Sequence, residues 1–216
     1  MVGPVAVETV LTSLRDARLV PVVVIDDAGM ASDVAAALMA GGIHCAEITL
    51  RTPAGLQAIA NIAGTAGFTL GAGTVLSVTD VDACVDAGAQ FIVSPGFDRE
   101  VVEHALERGA AAVPGIATAS EIQAAMRVGL DSVKLFPADR VGGLDMITSL
   151  AGPFPTLTFM PSGGVGPHNA VEYLAHPSVF AVSGSWMASR SAIAARDFDG
   201  IRQRSAAAMQ LIGLGA

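Results

Sequence analysis

One lysine stands in 216 residues, and the stretch that holds it, "LDSVKLFPAD", surrounds it with valine, leucine and phenylalanine. Every other long basic side chain in the sequence is an arginine. Lys134 therefore reads as a lysine placed within a buried strand. Loss of hydration disfavours an ammonium and makes the neutral amine accessible. A neutral amine is the nucleophile that attacks a ketone to form a Schiff base. The competing assignment is a structural lysine whose stem lies along the core while its head reaches the rim. Glu47, in "CAEITL", is a second charged residue inside an apolar run. A carboxylate there needs a partner, and it is either a general acid/base or half of an ion pair with Arg51 or Lys134.

Other polar groups follow similar runs. Arg51, in "TLRTP", carries a fork that fits a carboxylate with two hydrogen bonds, and is otherwise a solvated arginine at a strand end. Thr74, in "GAGTV", offers a hydroxyl beside Gly71 and Gly73, or is a turn residue. The segments "PSGGVGPHN" and "AVSGSW" place Ser162, Gly163, Gly164, Ser183, Gly184 and Ser185 after two further runs. Small residues leave backbone N–H groups open, and a following helix start adds a favourable field, so these segments read as a phosphate cradle or as two tight turns. His44, His104, His168 and His176 show no metal-ligand spacing, and no Gly-x-Ser-x-Gly elbow is present, so no metal or cofactor is expected.

These residues need a scaffold that brings them together, and the sequence describes one. Short apolar runs at 19–25, 44–50, 69–73, 91–94, 111–115, 132–136, 157–161 and 180–184 are bounded by turn residues and are too short for helices. Ala-rich helical patterns lie between them. Thr52 caps one, with Pro53 at its first position; Thr118 and Glu121 form a capping box for another, which stops at Gly129. Eight strands alternating with helices predict a (β/α)8 TIM barrel over 1–216 as one domain, with an extra N-terminal helix near 6–17 closing its bottom. An open doubly wound sheet is the rival, but no Gly-x-Gly-x-x-Gly follows the first strand. In a barrel, chemistry sits at the C-terminal ends of the strands, where all the residues above fall.

Composition narrows the partners. A net charge of −8 argues against nucleic acid and against an anionic membrane surface. Two cysteines give no disulfide framework, and "LVPVVVI" is too short to cross a bilayer, so a cytoplasmic protein is expected.

Together, "AEITLRT", "GAGTVL", "FIVSPG", "VPGIAT", "VKLFPA", "PSGGV" and "SGSW" resemble, in order and spacing, the 2-keto-3-deoxy-6-phosphogluconate (KDPG) and 4-hydroxy-2-oxoglutarate (KHG) aldolases, from about residue 10 to about residue 205. The resemblance implies a metal-free class I aldolase, cytoplasmic and homotrimeric, acting on a phosphorylated keto acid in the Entner–Doudoroff pathway. It makes Lys134 the Schiff-base lysine, Glu47 the acid/base, and Arg51 and Thr74 the binders of the pyruvyl carboxylate. It places the phosphate at Gly163, Gly164 and Ser185, beside Ser162 and Gly184. Two residues depart from the family pattern: Ser162 replaces a threonine and Ser183 a glycine. The 6-phosphogalactonate epimer is an alternative substrate, and an isomerase or synthase without Schiff-base chemistry is an alternative activity.

Overall fold

The structure is a computed structural model that describes residues 4–215, with side chains from residue 7 onward. Its strands are β1 (Leu19–Val23), β2 (Cys45–Thr49), β3 (Thr69–Gly73), β4 (Phe91–Ser94), β5 (Ala111–Ile116), β6 (Ser132–Leu135), β7 (Thr158–Pro161) and β8 (Val182–Gly184). They pair in parallel in the order β7-β6-β5-β4-β3-β2-β1-β8. The ring is completed not by a full ladder but by the bridges Phe159–Val179 and Ser162–Ser183. This is the expected (β/α)8 barrel.

Alternation along each strand decides what the barrel holds. Val20, Cys45, Phe91, Val93, Ala111, Val113 and Met160 point inward and pack with Leu11 and Leu14 of the first helix, α1 (Pro4–Ala17). That helix therefore plugs the end at which the strands begin. Ala46, Ile48, Leu70, Ala72, Ile92, Val133 and Leu135 point the other way, into the layer shared with the outer helices. Since Cys45 faces inward, Glu47 and Thr49 do too, and Lys134 lies on the face opposite Val133 and Leu135. Both charged residues thus enter the barrel above its apolar plug.

Glycines in β3 make the room. A Cβ on Gly71 would stand 2.2 Å from the Phe91 ring, and one on Gly73 would stand 3.0 Å from Glu47 Oε1.

The outer helices are α2 (Ala31–Ala40), α3 (Gly55–Ile62), α4 (Val78–Asp86), α5 (Arg99–Glu107), α6 (Ala119–Arg127), α7 (Gly143–Ala151), α8 (Ala170–Ala175), α9 (Arg190–Ala194) and α10 (Phe198–Leu211). The box at α6 forms: the Glu121 N–H donates to Thr118 Oγ1, and the Thr118 hydroxyl donates back to Glu121 Oε2 at 2.7 Å. The same carboxylate oxygen accepts the Ala117 N–H at 2.9 Å, one residue before the cap. The expected cap at Thr52 is corrected. Helix α3 begins only at Gly55, with Ala54 at its cap position and no side-chain cap bond. The Thr52 hydroxyl donates instead to the Ile25 carbonyl, tying the loop after β2 to the end of β1. A contact distant in sequence has taken the group that a local cap would use.

Cys45 and Cys84 are free and buried. Burial pushes each thiol up to about 12, with the charge of Asp80 adding to the effect at Cys84. Neither should react with a disulfide reagent at pH 8 in the native protein, whereas both should react after unfolding in guanidinium. A native-state thiol that reacts within seconds would contradict this packing.

Candidate active site

Glu47 comes from the middle of β2 and Lys134 from β6, 87 residues further along the chain, and they meet inside the barrel. Lys134 Nζ donates to Glu47 Oε1 at 3.2 Å, with side chains only 5% and 1% exposed. The second carboxylate oxygen, Oε2, is buried without a hydrogen-bond partner among the described residues. The Phe136 ring stands 5.4 Å from Nζ, close enough for its π-face to attract the ammonium.

Above this pair opens a cavity of about 300 Å³ at the C-terminal ends of the strands. Phe136 lines it, as does Val22, the residue of β1 in register with Glu47. Lys134, Glu47 and Thr74 do not themselves line the cavity; Phe136 and Val22 are the lining residues nearest the buried pair in space and in register. Arg51, Ser162, Gly163, Gly164, Gly184 and Ser185 line the walls. Arg51 Nε donates to Thr74 Oγ1 at 3.4 Å, so those two residues share one side of the rim. Thr74 has φ +62, a left-handed conformation that a β-branched residue adopts at a cost of about 1–3 kcal/mol. Strain of this kind, kept at the edge of a cavity, points to a hydroxyl whose direction matters.

Backbone bonds fix the opposite wall. Ala138 N–H donates to the Ser162 carbonyl at 2.8 Å and Asp139 N–H donates to the Gly163 carbonyl at 2.9 Å, so the loop after β7 is pinned to the loop after β6. Gly163 and Gly164, at φ +86 and +85, give a backbone path that L side chains rarely follow. The expected contribution of a helix start is corrected: α8 begins only at Ala170 and has six residues. The Gly166 N–H is already taken by Asn169 Oδ1 at 2.9 Å. Any anion here would be held by the turn's own amides and by side chains.

Sequence reasoning missed Arg190, which also lines the cavity. Its guanidinium donates to Asp26 through Nε at 2.7 Å and Nη2 at 2.6 Å. Arg190 and Asp26 are 164 positions apart, so no local spacing marked them as a pair. The one available signal was that Arg190 follows the eighth strand within a few residues of Ser185. Among the described residues, no three His, Cys, Asp or Glu side chains converge on a metal position. Nor is any helix among them long and apolar enough to cross a membrane.

Breaking the buried pair on one side should cost far more than replacing both partners. Glu47→Ala leaves a cation without its counter-ion and should lower stability to urea by about 3–5 kcal/mol. The double substitution Lys134→Met with Glu47→Leu should recover nearly all of that loss. Equal losses in the single and double variants would mean that the charges are not coupled.

Known proteins resemble this chain in sequence and in fold. The family model described as KDPG and KHG aldolase matches residues 10–204. The 2-dehydro-3-deoxy-phosphogluconate aldolase of Treponema pallidum is 44% identical over 207 residues, covering 95% of this chain and 99% of its own length. Among solved structures, a KDPG aldolase from Legionella pneumophila, with pyruvate captured at low pH as a covalent carbinolamine intermediate, superposes with a TM-score of 0.87. It is 36% identical, over 90% of this chain and 96% of that one. The KDPG aldolase of Zymomonas mobilis ZM4 with 3-phosphoglycerate gives a TM-score of 0.84 at 38% identity, covering 93% and 96%. By the match of the family model along nearly its whole length, and by these relatives, the chain belongs to the KDPG and KHG aldolase family.

Proposed function

We propose that this protein is a class I aldolase that cleaves 2-dehydro-3-deoxy-6-phosphogluconate (KDPG) to pyruvate and glyceraldehyde 3-phosphate, and that it also cleaves 4-hydroxy-2-oxoglutarate. The observation that carries this reading is the buried 3.2 Å contact between Lys134 and Glu47, beside Phe136, which lines a cavity with arginine, serine and glycine walls. The family resemblance further supports a cytoplasmic homotrimer.

In this reading Lys134 gives up its proton, for which Glu47 is the nearest acceptor, and its nitrogen attacks the C2 carbonyl of the bound keto acid. The resulting carbinolamine loses water and becomes an iminium. Arg51 and Thr74 hold the C1 carboxylate, while the amides of Gly163 and Gly164 and the Ser185 side chain hold the phosphate. Anchoring both ends makes cleavage an oriented unimolecular step. Glu47, directly or through one water, removes the proton from the C4 hydroxyl. The new C=O forms as the C3–C4 bond breaks, and its electron pair moves into the iminium to give an enamine. Glyceraldehyde 3-phosphate leaves first. Protonation at C3 and addition of water at C2 then release pyruvate and restore the amine.

The pair is also positioned to make each step local. Glu47 can pass protons to and from the reacting atoms without a path to bulk water, since both side chains are buried. The Phe136 ring stands 5.4 Å from the same nitrogen and also lines the cavity.

Incubation with pyruvate and sodium borohydride should add one reduced pyruvyl group, which peptide mapping should place on Lys134, the only lysine in the chain. Lys134→Arg should neither form the adduct nor turn over KDPG, because a guanidinium remains protonated. An unmodified wild-type protein under these conditions would end the Schiff-base proposal. Glu47→Gln should still trap some pyruvate but should cleave KDPG at least about a hundredfold more slowly, the usual scale of a general acid/base contribution. Full activity in that variant would remove Glu47 from its assigned role.

A further inference from the structure

The cavity carries a cation at each of two places on its rim, and only one of them is used above. Arg51 leans toward Thr74, on the side of β2 and β3. Arg190 stands on the other side, in the segment after β8 that also supplies Ser185, next along the barrel to the glycines that follow β7. None of the residues lining this cavity is acidic.

Arg190 is held, not free. Asp26, in the loop after β1, receives two hydrogen bonds from it, at 2.7 Å from Nε and 2.6 Å from Nη2. β1 is the neighbour of β8, so the contact links adjacent loops across the top of the barrel. A guanidinium has five N–H donors, and this side-on contact leaves Nη1 and the outer proton of Nη2 unspent. Holding the plane by its Nε edge sets the direction of the remaining donors before any ligand arrives, which lowers the ordering cost on binding. The carboxylate offsets part of the charge, yet a phosphate dianion still gains from donors with a fixed direction.

We propose that Arg190 is the specificity-determining residue for the distal phosphate, with Asp26 as the strut that aims it. This inference rests on the aldolase reading for the identity of the substrate, but the phosphate contact itself does not depend on turnover. The amides of Gly163 and Gly164 can hold phosphate oxygens on one side; Arg190 supplies the charged donor on the other. A keto acid of the same carbon skeleton without phosphate would leave Arg190 unused. 4-Hydroxy-2-oxoglutarate, which ends one carbon past its C4 hydroxyl, would be too short to engage it while Lys134 holds its C2.

The test compares wild type with Arg190→Gln on KDPG and on 2-dehydro-3-deoxygluconate, the same substrate without phosphate. The KM for KDPG should rise roughly tenfold with kcat retained, the scale expected for one charge-assisted hydrogen bond at a partly exposed site. Kinetics on the unphosphorylated substrate should be unchanged, which also shows that the variant is folded. In wild type the KM for KDPG should climb with ionic strength, and this slope should flatten in Arg190→Gln. Arg190→Lys should restore part of the KDPG affinity. Calorimetric titration with inorganic phosphate provides a readout without catalysis: wild type should bind it more tightly than Arg190→Gln.

Equal changes on both substrates, or no change on either, would overturn the assignment of Arg190. A wild type that binds phosphate in an Arg190-dependent way but never traps pyruvate would overturn the aldolase reading and leave the phosphate contact standing.

Discussion

A lysine and a glutamate 3.2 Å apart in an apolar barrel are held there against a large desolvation cost, several kcal/mol for each ion. Each makes the other tolerable, and neither could be buried alone in its charged form. The rest of the fold follows from keeping them in register. β2 must present Glu47 inward, β6 must present Lys134 inward, and the three strands between them must not fill the gap. Gly71, Gly73 and Gly115 lie on those intervening strands. A side chain on Gly73 would crowd Glu47, and one on Gly115 would strike the Pro95 carbonyl at 2.2 Å. Conversely Phe91, Met160 and the residues of α1 fill the space below, so the pair rests on a packed floor.

That floor explains how the carboxylate can keep one oxygen without a partner. Burying an unpaired polar atom is costly, and proteins rarely retain one without use. Glu47 spends Oε1 on Lys134 and leaves Oε2 unmatched among the described residues. In the proposed mechanism, a proton acceptor beside Lys134 would gain from an oxygen that the protein's own groups have not already satisfied. The same reasoning applies to Thr74, whose backbone strain is maintained next to Arg51. Both are local departures from stability placed where a ligand would repay them.

The barrel and its site could be read from the sequence to the extent that each signal was local. Strands such as 69–73 and 91–94 are short apolar runs between turn residues, and runs of the same kind assigned Glu47 and Lys134 to buried strands. The Thr118–Glu121 box is a contact between residues three apart, and it forms. Thr52 was misread for the opposite reason. Its best partner, the Ile25 carbonyl, lies 27 residues away, and sequence spacing carries no trace of it. The Asp26–Arg190 contact is the extreme case, joining loops that become neighbours only because β8 pairs with β1. Resemblance to a family supplied roles for Lys134, Glu47, Arg51 and Thr74. It was silent on Arg190, which belongs to none of the shared motifs.

This division reflects how such a barrel distributes its tasks. The Lys134–Glu47 pair is on strands, where ladder bonds to both neighbours hold a backbone in place, as they do for Glu47 opposite Val22 and Gly71. Groups that would recognise the rest of a substrate sit on loops, whose geometry is fixed only by scattered ties such as Ala138 to Ser162 and Arg190 to Asp26. Loops can change without moving the strands. Ser162 and Ser183 illustrate the asymmetry: both lie at the β7–β8 seam, where an isolated bridge joins them to each other. The seam is the one place in the ring without a continuous ladder, so it is the place where altered side chains disturb the fewest backbone bonds. In the proposed reading the reacting pair would sit on continuous ladders, and the groups that recognise the phosphate end would sit at or beside the seam.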